Sequence, residues 1–375
     1  MIYLDNAATT KPNPEVIATI NNLMNDYFIN ADSPYLPALT INKMQDKARQ
    51  LLAANLKVKN EELIFVGSGS EANNMAIKGI AFKYLNKGKY HIITSMIEHA
   101  SVYESMQQLE KLGFEVTYLM PDESGVIDND KILAAIKDNT ILISLMKINS
   151  EVGSINNLET IYQKIKAINS NIVVHCDCVQ AFGKYELELQ NYDLASFSAH
   201  KINGIKGSGL LYKKQGINLL PLISGGQQEF GLRAGTANYY YNIVLAKTLR
   251  LYLEKLDLRK AQENFAYIYQ LLENDERIKL NSSKNNNSFF IVNFSIPGYK
   301  PEVILNYLEA KGIYIATKSA CSTNVKRSRV IDALPIADIN KDSAFRISFS
   351  LETTKEELTI FYNELSACLT TIVRG

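Results

Sequence analysis

Short apolar runs, each bounded by turn residues, recur along the first 212 residues at 63–66, 91–94, 114–119, 141–146, 172–176, 194–197 and 209–212. Between them, residues 71–79, 101–112, 131–136 and 158–168 carry apolar side chains at the spacing of amphipathic helices. Strands that are apolar throughout, rather than alternately, bury both faces, and their alternation with helices predicts a mostly parallel sheet covered on both sides. The expected class is therefore α/β. A long helical pattern over 239–272 leads out of this unit, and 281–288 is a polar, Asn-rich connection. Beyond it the pattern reads strand 289–295, helix 301–310, strand 313–317, a loop, strand 345–350 and a closing helix from about 354. A chain of 375 residues exceeds the usual size of one compact core. The expected division is a large α/β domain over 1–255, whose N-terminal segment is free to pack on its neighbour, and a small α+β domain over 256–375.

With 46% hydrophobic and 21% charged residues the chain reads as an ordinary soluble globular protein. Its 40 Lys and Arg against 39 Asp and Glu give no electrostatic reason to expect nucleic acid or an anionic membrane as partner. A small neutral or zwitterionic substrate fits better. Residues 1–10 lack a basic region followed by an apolar one, and no run of about 18 apolar residues occurs, so a cytoplasmic protein is expected. Four cysteines are too few for a disulfide framework and read as free thiols.

The chemistry gathers at a few turns. Ser198-Ala199-His200-Lys201 follows an apolar run and precedes a glycine-rich stretch, Gly204 to Gly209. A lysine on a short rigid turn suits Schiff-base chemistry, with hydroxyl and imidazole donors nearby for a phosphate, although a single lysine out of context is usually a surface residue. Asp177 ends the run 172–176, where open α/β sheets bind ligands, and Gln180 lies one helical turn on. A carboxylate there suits a protonated ring nitrogen and Gln180 a ring hydroxyl, while the same position equally favours an N-cap aspartate. Gly67-Ser68-Gly69-Ser70-Glu71-Ala72 joins a strand to a helix and reads as a phosphate cradle with Ser70 as an added donor. It matches G-x-G-x-x-A, but the next strand ends without the acidic residue of a dinucleotide site, and no Gly-Lys-[Ser/Thr] follows.

Three further positions are less specific alone. His99, between a strand and a helix, suits a place over a flat cofactor, though a lone histidine is more often structural. Arg346 suits a bidentate clamp on a carboxylate, though an arginine at a strand edge is usually solvated. Cys321 stands among Lys318, Lys326, Arg327 and Arg329, a setting that raises the thiolate fraction. Cys176 and Cys178 form a C-x-C pair without a second Cys/His pair, so no metal site is expected; these two and Cys368 read as packing residues.

Taken together, these motifs resemble the cysteine desulfurases, in the class V aminotransferase group of fold-type I pyridoxal-phosphate (PLP) enzymes. The similarity covers nearly the whole chain: Tyr3 to Thr10, Gly69 to Asn74, Glu98-His99, Asp177 with Gln180, Ser198-x-His200-Lys201, Gly231-x-Arg233-x-Gly235-Thr236, Ser319-Ala320-Cys321 and Arg346. Each is weak singly; their order and spacing are specific. The resemblance implies pyridoxal 5'-phosphate as cofactor, Lys201 as the Schiff-base lysine, Asp177 on the pyridine nitrogen and His99 as the ring-stacking acid/base residue. Gly69, Ser70, Ser198 and His200 would hold the phosphate, joined by Thr236 of a second subunit, so that a homodimer completes the site. Arg346 would bind the carboxylate of L-cysteine, and Cys321 would take its sulfur as a persulfide, with release of L-alanine. The sulfur would pass to an acceptor protein in iron–sulfur cluster assembly or tRNA thiolation.

This chain departs from the family pattern at three places. Ser150 stands where an Asn usually contacts the cofactor and substrate region, Lys318 where a Gly is usual before the cysteine, and Phe230 where an Arg is usual near the site's mouth. Other readings of the same residues are an aminotransferase or selenocysteine lyase of this fold, which needs no Cys321, and a non-catalytic sulfur carrier, which needs no Lys201.

Overall fold

A computed structural model describes residues 1–317 and 327–371. The chain opens with β1 (Ile2–Tyr3), then α1 (Pro14–Asp26) and α2 (Leu36–Leu56), two helices absent from the expectations above. Asn13 caps α1 by accepting from the Glu15 N–H, and Pro14 begins it, where its missing N–H costs nothing. There follow β2 (Leu63–Val66), α3 (Gly69–Ala81), β3 (His91–Ser95), α4 (Ala100–Lys111), β4 (Glu115–Leu119), α5 (Asn129–Ala134) and β5 (Thr140–Met146). Next come α6 (Tyr162–Ile168), β6 (Val173–Asp177), β7 (Leu194–Ser198) and β8 (Gly209–Lys213). Among the described residues these strands form one sheet in the order β2-β8-β7-β6-β5-β3-β4, in which β8 alone runs against its neighbours. Residues of β2, β3, β5, β6, β7 and β8 are buried on both faces, as continuous apolar runs require.

The helical pattern over 239–272 resolves into two helices, α7 (Tyr239–Lys255) and α8 (Leu258–Glu273). Leu256 is extended, and the Asp257 carboxylate accepts from the Lys260 N–H, starting a new helix at a side chain built for capping. The chain continues through β9 (Lys279–Leu280), β10 (Ile291–Ser295), α9 (Pro301–Ala310), β11 (Ile313–Tyr314), α10 (Arg329–Ala333), α11 (Asp338–Lys341), β12 (Ala344–Ser348) and α12 (Lys355–Thr371). The expected strand 313–317 is thus short, with Ala316 making only an isolated bridge to Arg346. β12, β10 and β9 form a second, antiparallel sheet.

The N-terminus packs with this second sheet. β1 pairs with β11, and Leu4 is fully buried in a core shared with Phe294, Phe345, Phe361 and Leu365. In the other direction, Val330, Ile331 and Leu334 of α10 and its exit join the core of the seven-stranded sheet. These exchanges bring residues 5–10, 146–150 and 346 to the same end of the large sheet. Among the described residues no helix is long and apolar enough to cross a membrane.

Candidate active site

At the C-terminal ends of β5, β6 and β7 lies a cavity of about 400 Å³, within the usual range for small-molecule sites. Its lining brings together Gly69, Ser70, His99, Ser150, Asp177, Gln180, Ser198, His200, Lys201 and Arg346. Thr236 is exposed and does not line it. Cys321 and Lys318 lie outside the described residues.

The floor begins at the turn between β2 and α3. The Ser68 side chain accepts from the Glu71 N–H at 3.1 Å, and Glu71 accepts in turn from the Gly67 N–H at 2.8 Å, so the helix starts two residues earlier than the apolar spacing suggests. Gly69 is required by close approach: a Cβ there would stand 2.7 Å from the Val179 side chain. Glu71 also accepts from Arg233 at 2.8 Å, which ties the segment preceding Thr236 to this turn. Facing the turn, the Ser198 hydroxyl is buried without a hydrogen-bond partner. Such a group costs about 1–3 kcal/mol unless a ligand completes it.

Asp177 is 4% exposed. One carboxylate oxygen accepts from the Val179 N–H at 3.0 Å, the capping contact, and the other from Asn73 Nδ2 at 2.7 Å. Asn73 was not singled out by the sequence, because it comes from α3, 104 positions away. Its own Oδ1 is buried without a partner. The Lys201 amine donates to the Ala7 and Ala8 carbonyls at 2.6 and 2.7 Å, and the Gln180 amide nitrogen to Ala7 at 2.9 Å. His200 meets Thr9 at 3.2 Å, and burial, reinforced by Lys201 and Lys206, pushes its pKa down to about 4, so the ring is neutral at pH 7.

His99 caps α4: its Nδ1 accepts from the Ser101 N–H at 3.1 Å, which leaves the proton of the neutral ring on Nε2. Burial pushes its pKa below the ordinary value; Asp177 opposes this, and Lys201 and Arg329 add to it.

Arg346 is not the solvated edge residue that its strand position suggests. It is 2% exposed, donates to the Ser150 carbonyl at 2.8 Å and to Asp5 at 2.6 Å, and its Nε is buried without a partner. Ser150 reaches this network through its backbone rather than its hydroxyl. Phe230 is likewise not among the cavity residues. It sits with Glu229 in the left-handed region, φ 59° and 47°, and its ring lies 5.1 Å from the Arg49 guanidinium. That turn is held by Glu229, which accepts from both terminal nitrogens of Arg49, at 2.8 and 2.9 Å, and from the Phe65 N–H.

A mixed, mostly parallel sheet with an amine, a carboxylate and a helix N-terminus at its C-terminal edge is the architecture of a fold-type I enzyme. The class-V aminotransferase profile matches residues 2–361. The chain belongs to this family, among its cysteine desulfurases of the NifS and IscS type. It is 37% identical to a cysteine desulfurase IscS of Dictyoglomus turgidum over 95% of this chain and 91% of that one. A NifS/IcsS protein homolog of Lactobacillus delbrueckii subsp. bulgaricus is 38% identical, with 96% and 95% covered. Among solved structures, a NifS-like protein superposes with a TM-score of 0.92 at 30% identity, covering 99% of this chain and all of that one. SspA in complex with cysteine superposes at 0.83 and 30% identity, covering 94% and 100%.

Proposed function

We propose that this chain is a PLP-dependent cysteine desulfurase that moves the sulfur of L-cysteine onto Cys321 and releases L-alanine. The observation that carries the reading is the convergence of Lys201, Asp177, the unpaired Ser198 hydroxyl and the buried Arg346 on one cavity, in a chain whose relatives bear that name.

The residues present fit the cofactor. Ser198 offers a buried hydroxyl in need of a partner, Asn73 Oδ1 is likewise buried and unpaired, and the Asp177 carboxylate, which accepts from two donors, lines the same cavity. Gly69, Ser70, Ser198 and His200 would hold the phosphate, Asp177 the ring nitrogen, Gln180 the ring oxygen and Lys201 the aldehyde carbon. Bound there, pyridoxal phosphate supplies an electron sink for charge developing at the substrate α-carbon.

The remaining work falls to the chain. Arg346 binds the substrate carboxylate with the N–H groups that Ser150 and Asp5 leave unused, and it does so in a buried place where such a pair is strong. His99, neutral and with its proton on Nε2, is suited to hold or pass a proton at the cavity face. The Cys321 thiolate attacks the substrate sulfur; the carbon–sulfur bond breaks, the sulfur stays on Cys321 as a persulfide, and the carbon skeleton takes up protons to leave as alanine. A second copy of the chain would bring Thr236 to the phosphate, in keeping with its exposure outside its own cavity. The sulfur then passes to an acceptor protein in iron–sulfur cluster assembly or tRNA thiolation.

The test is optical. Purified wild type, reconstituted with pyridoxal phosphate, shows an absorbance band near the visible edge that Lys201→Ala lacks. A wild type that takes up no cofactor contradicts the reading.

A further inference from the structure

Behind the cavity wall stands a buried amine. Lys184 is 4% exposed, and among the described residues it makes no salt bridge. Its polar contact is Gln180 Oε1 at 3.4 Å, and its ammonium lies 5.5 Å from the centre of the Phe290 ring. An isolated buried ammonium is expensive, so a lysine in such a place either loses its proton or serves a neighbour. Burial, with Lys201 adding to it, pushes its pKa down to about 7, and its field also reaches His200.

The neighbour is Gln180, which lines the cavity. Its amide is held at both ends: Oε1 faces the Lys184 amine, and Nε2 donates to the Ala7 carbonyl at 2.9 Å. Turning the amide over would set its oxygen against the Ala7 oxygen and its nitrogen against the amine. The Ala7 carbonyl is shared, however, because Lys201 donates to it as well at 2.6 Å. The inner anchor is therefore the one dedicated to Gln180.

We propose that Lys184 is a positioning residue: by donating to Gln180 Oε1 it fixes the amide with its N–H groups toward the cavity, so that the cofactor's ring oxygen meets a donor and is held as an anion. This rests on the cofactor reading above. It also explains an otherwise unfavourable buried amine, since a hydrocarbon of the same length would pack there without desolvation cost.

The experiment is a pH titration of the absorbance of bound pyridoxal phosphate in the reconstituted enzyme. Lys184→Met removes the donor and lets the amide turn, so the midpoint rises by about one pH unit, a tenfold change in proton affinity. Gln180→Leu raises it similarly, and adding Lys184→Met to Gln180→Leu moves it no further, because the lysine acts through the amide. Lys184→Leu repeats the measurement with a second apolar side chain. An unchanged midpoint in the single variants, or a full additional shift in the double one, overturns the proposal while leaving the cofactor reading intact. Failure of both apolar variants to fold overturns it too, since removing an uncompensated buried amine is expected to raise the melting temperature. Absence of cofactor binding in wild type instead refutes the reading on which the proposal rests.

Discussion

Glu98, next to His99, gives a prediction about the folded state that needs no cofactor. It is 1% exposed; one carboxyl oxygen accepts from Ser95 Oγ at 2.5 Å and from the Met146 N–H at 3.1 Å, while the other is buried without a partner. Burial raises its pKa from 4.5 to about 8; the two hydrogen bonds and Arg329 resist, and Asp177 adds to the rise. Between those values the folded carboxyl keeps a proton that the unfolded one has lost. Stability therefore falls as pH rises through this window, tenfold in the unfolding equilibrium per pH unit. The full difference, from 4.5 to about 8, amounts to roughly 5 kcal/mol. Glu98→Gln has nearly the same shape and does not titrate. In urea unfolding of the apo-protein, the variant should match wild type near pH 4.5 and gain on it steadily, by most of those roughly 5 kcal/mol at pH 8. Other titrating groups are common to both proteins and cancel. Stability curves that stay parallel across this range would refute the burial argument.

Two further outcomes concern the site. Arg346→Ala should raise KM for L-cysteine roughly 10- to 100-fold, the worth of a charge-assisted pair, with the cofactor absorbance unchanged; steady-state kinetics that leave KM at the wild-type value would move the carboxylate site elsewhere, with Lys318 the next candidate. Sedimentation should give a dimer at working concentration, because Thr236 is proposed to complete the neighbour's phosphate site; a fully active monomer would remove that role.

What the sequence made legible follows from what periodicity encodes. Buried strands announce themselves as apolar runs, and side chains at their C-terminal ends, such as Asp177 and Lys201, can be placed on the cavity from position alone. α1 carried a readable signal in Asn13-Pro14 that apolar spacing by itself missed. The break at Leu256 was likewise announced by the capping side chain of Asp257. Contacts between distant segments have no such local signal. Asn73 reaches Asp177, Asp5 reaches Arg346 and Lys184 backs Gln180 only because the fold brings those segments together. The same holds for burial: nothing beside Arg346 or Glu98 in the chain says that water is excluded from them. Phe230 shows the reverse case, a departure from the family pattern whose ring lies on Arg49 rather than in the cavity.

The central claim is that a protein thiol receives the sulfur, and mass spectrometry of the Cys321 peptide tests it most directly. The cofactor's chemistry at the α-carbon needs no thiol, whereas taking the sulfur requires a nucleophile that a hydroxyl cannot replace at neutral pH. Wild type treated with L-cysteine should gain the mass of one sulfur atom on that peptide, removable by reductant. Cys321→Ser should keep the cofactor absorbance and its change on adding L-cysteine, yet form neither alanine nor persulfide. Alanine released by Cys321→Ser at the wild-type rate would contradict the account.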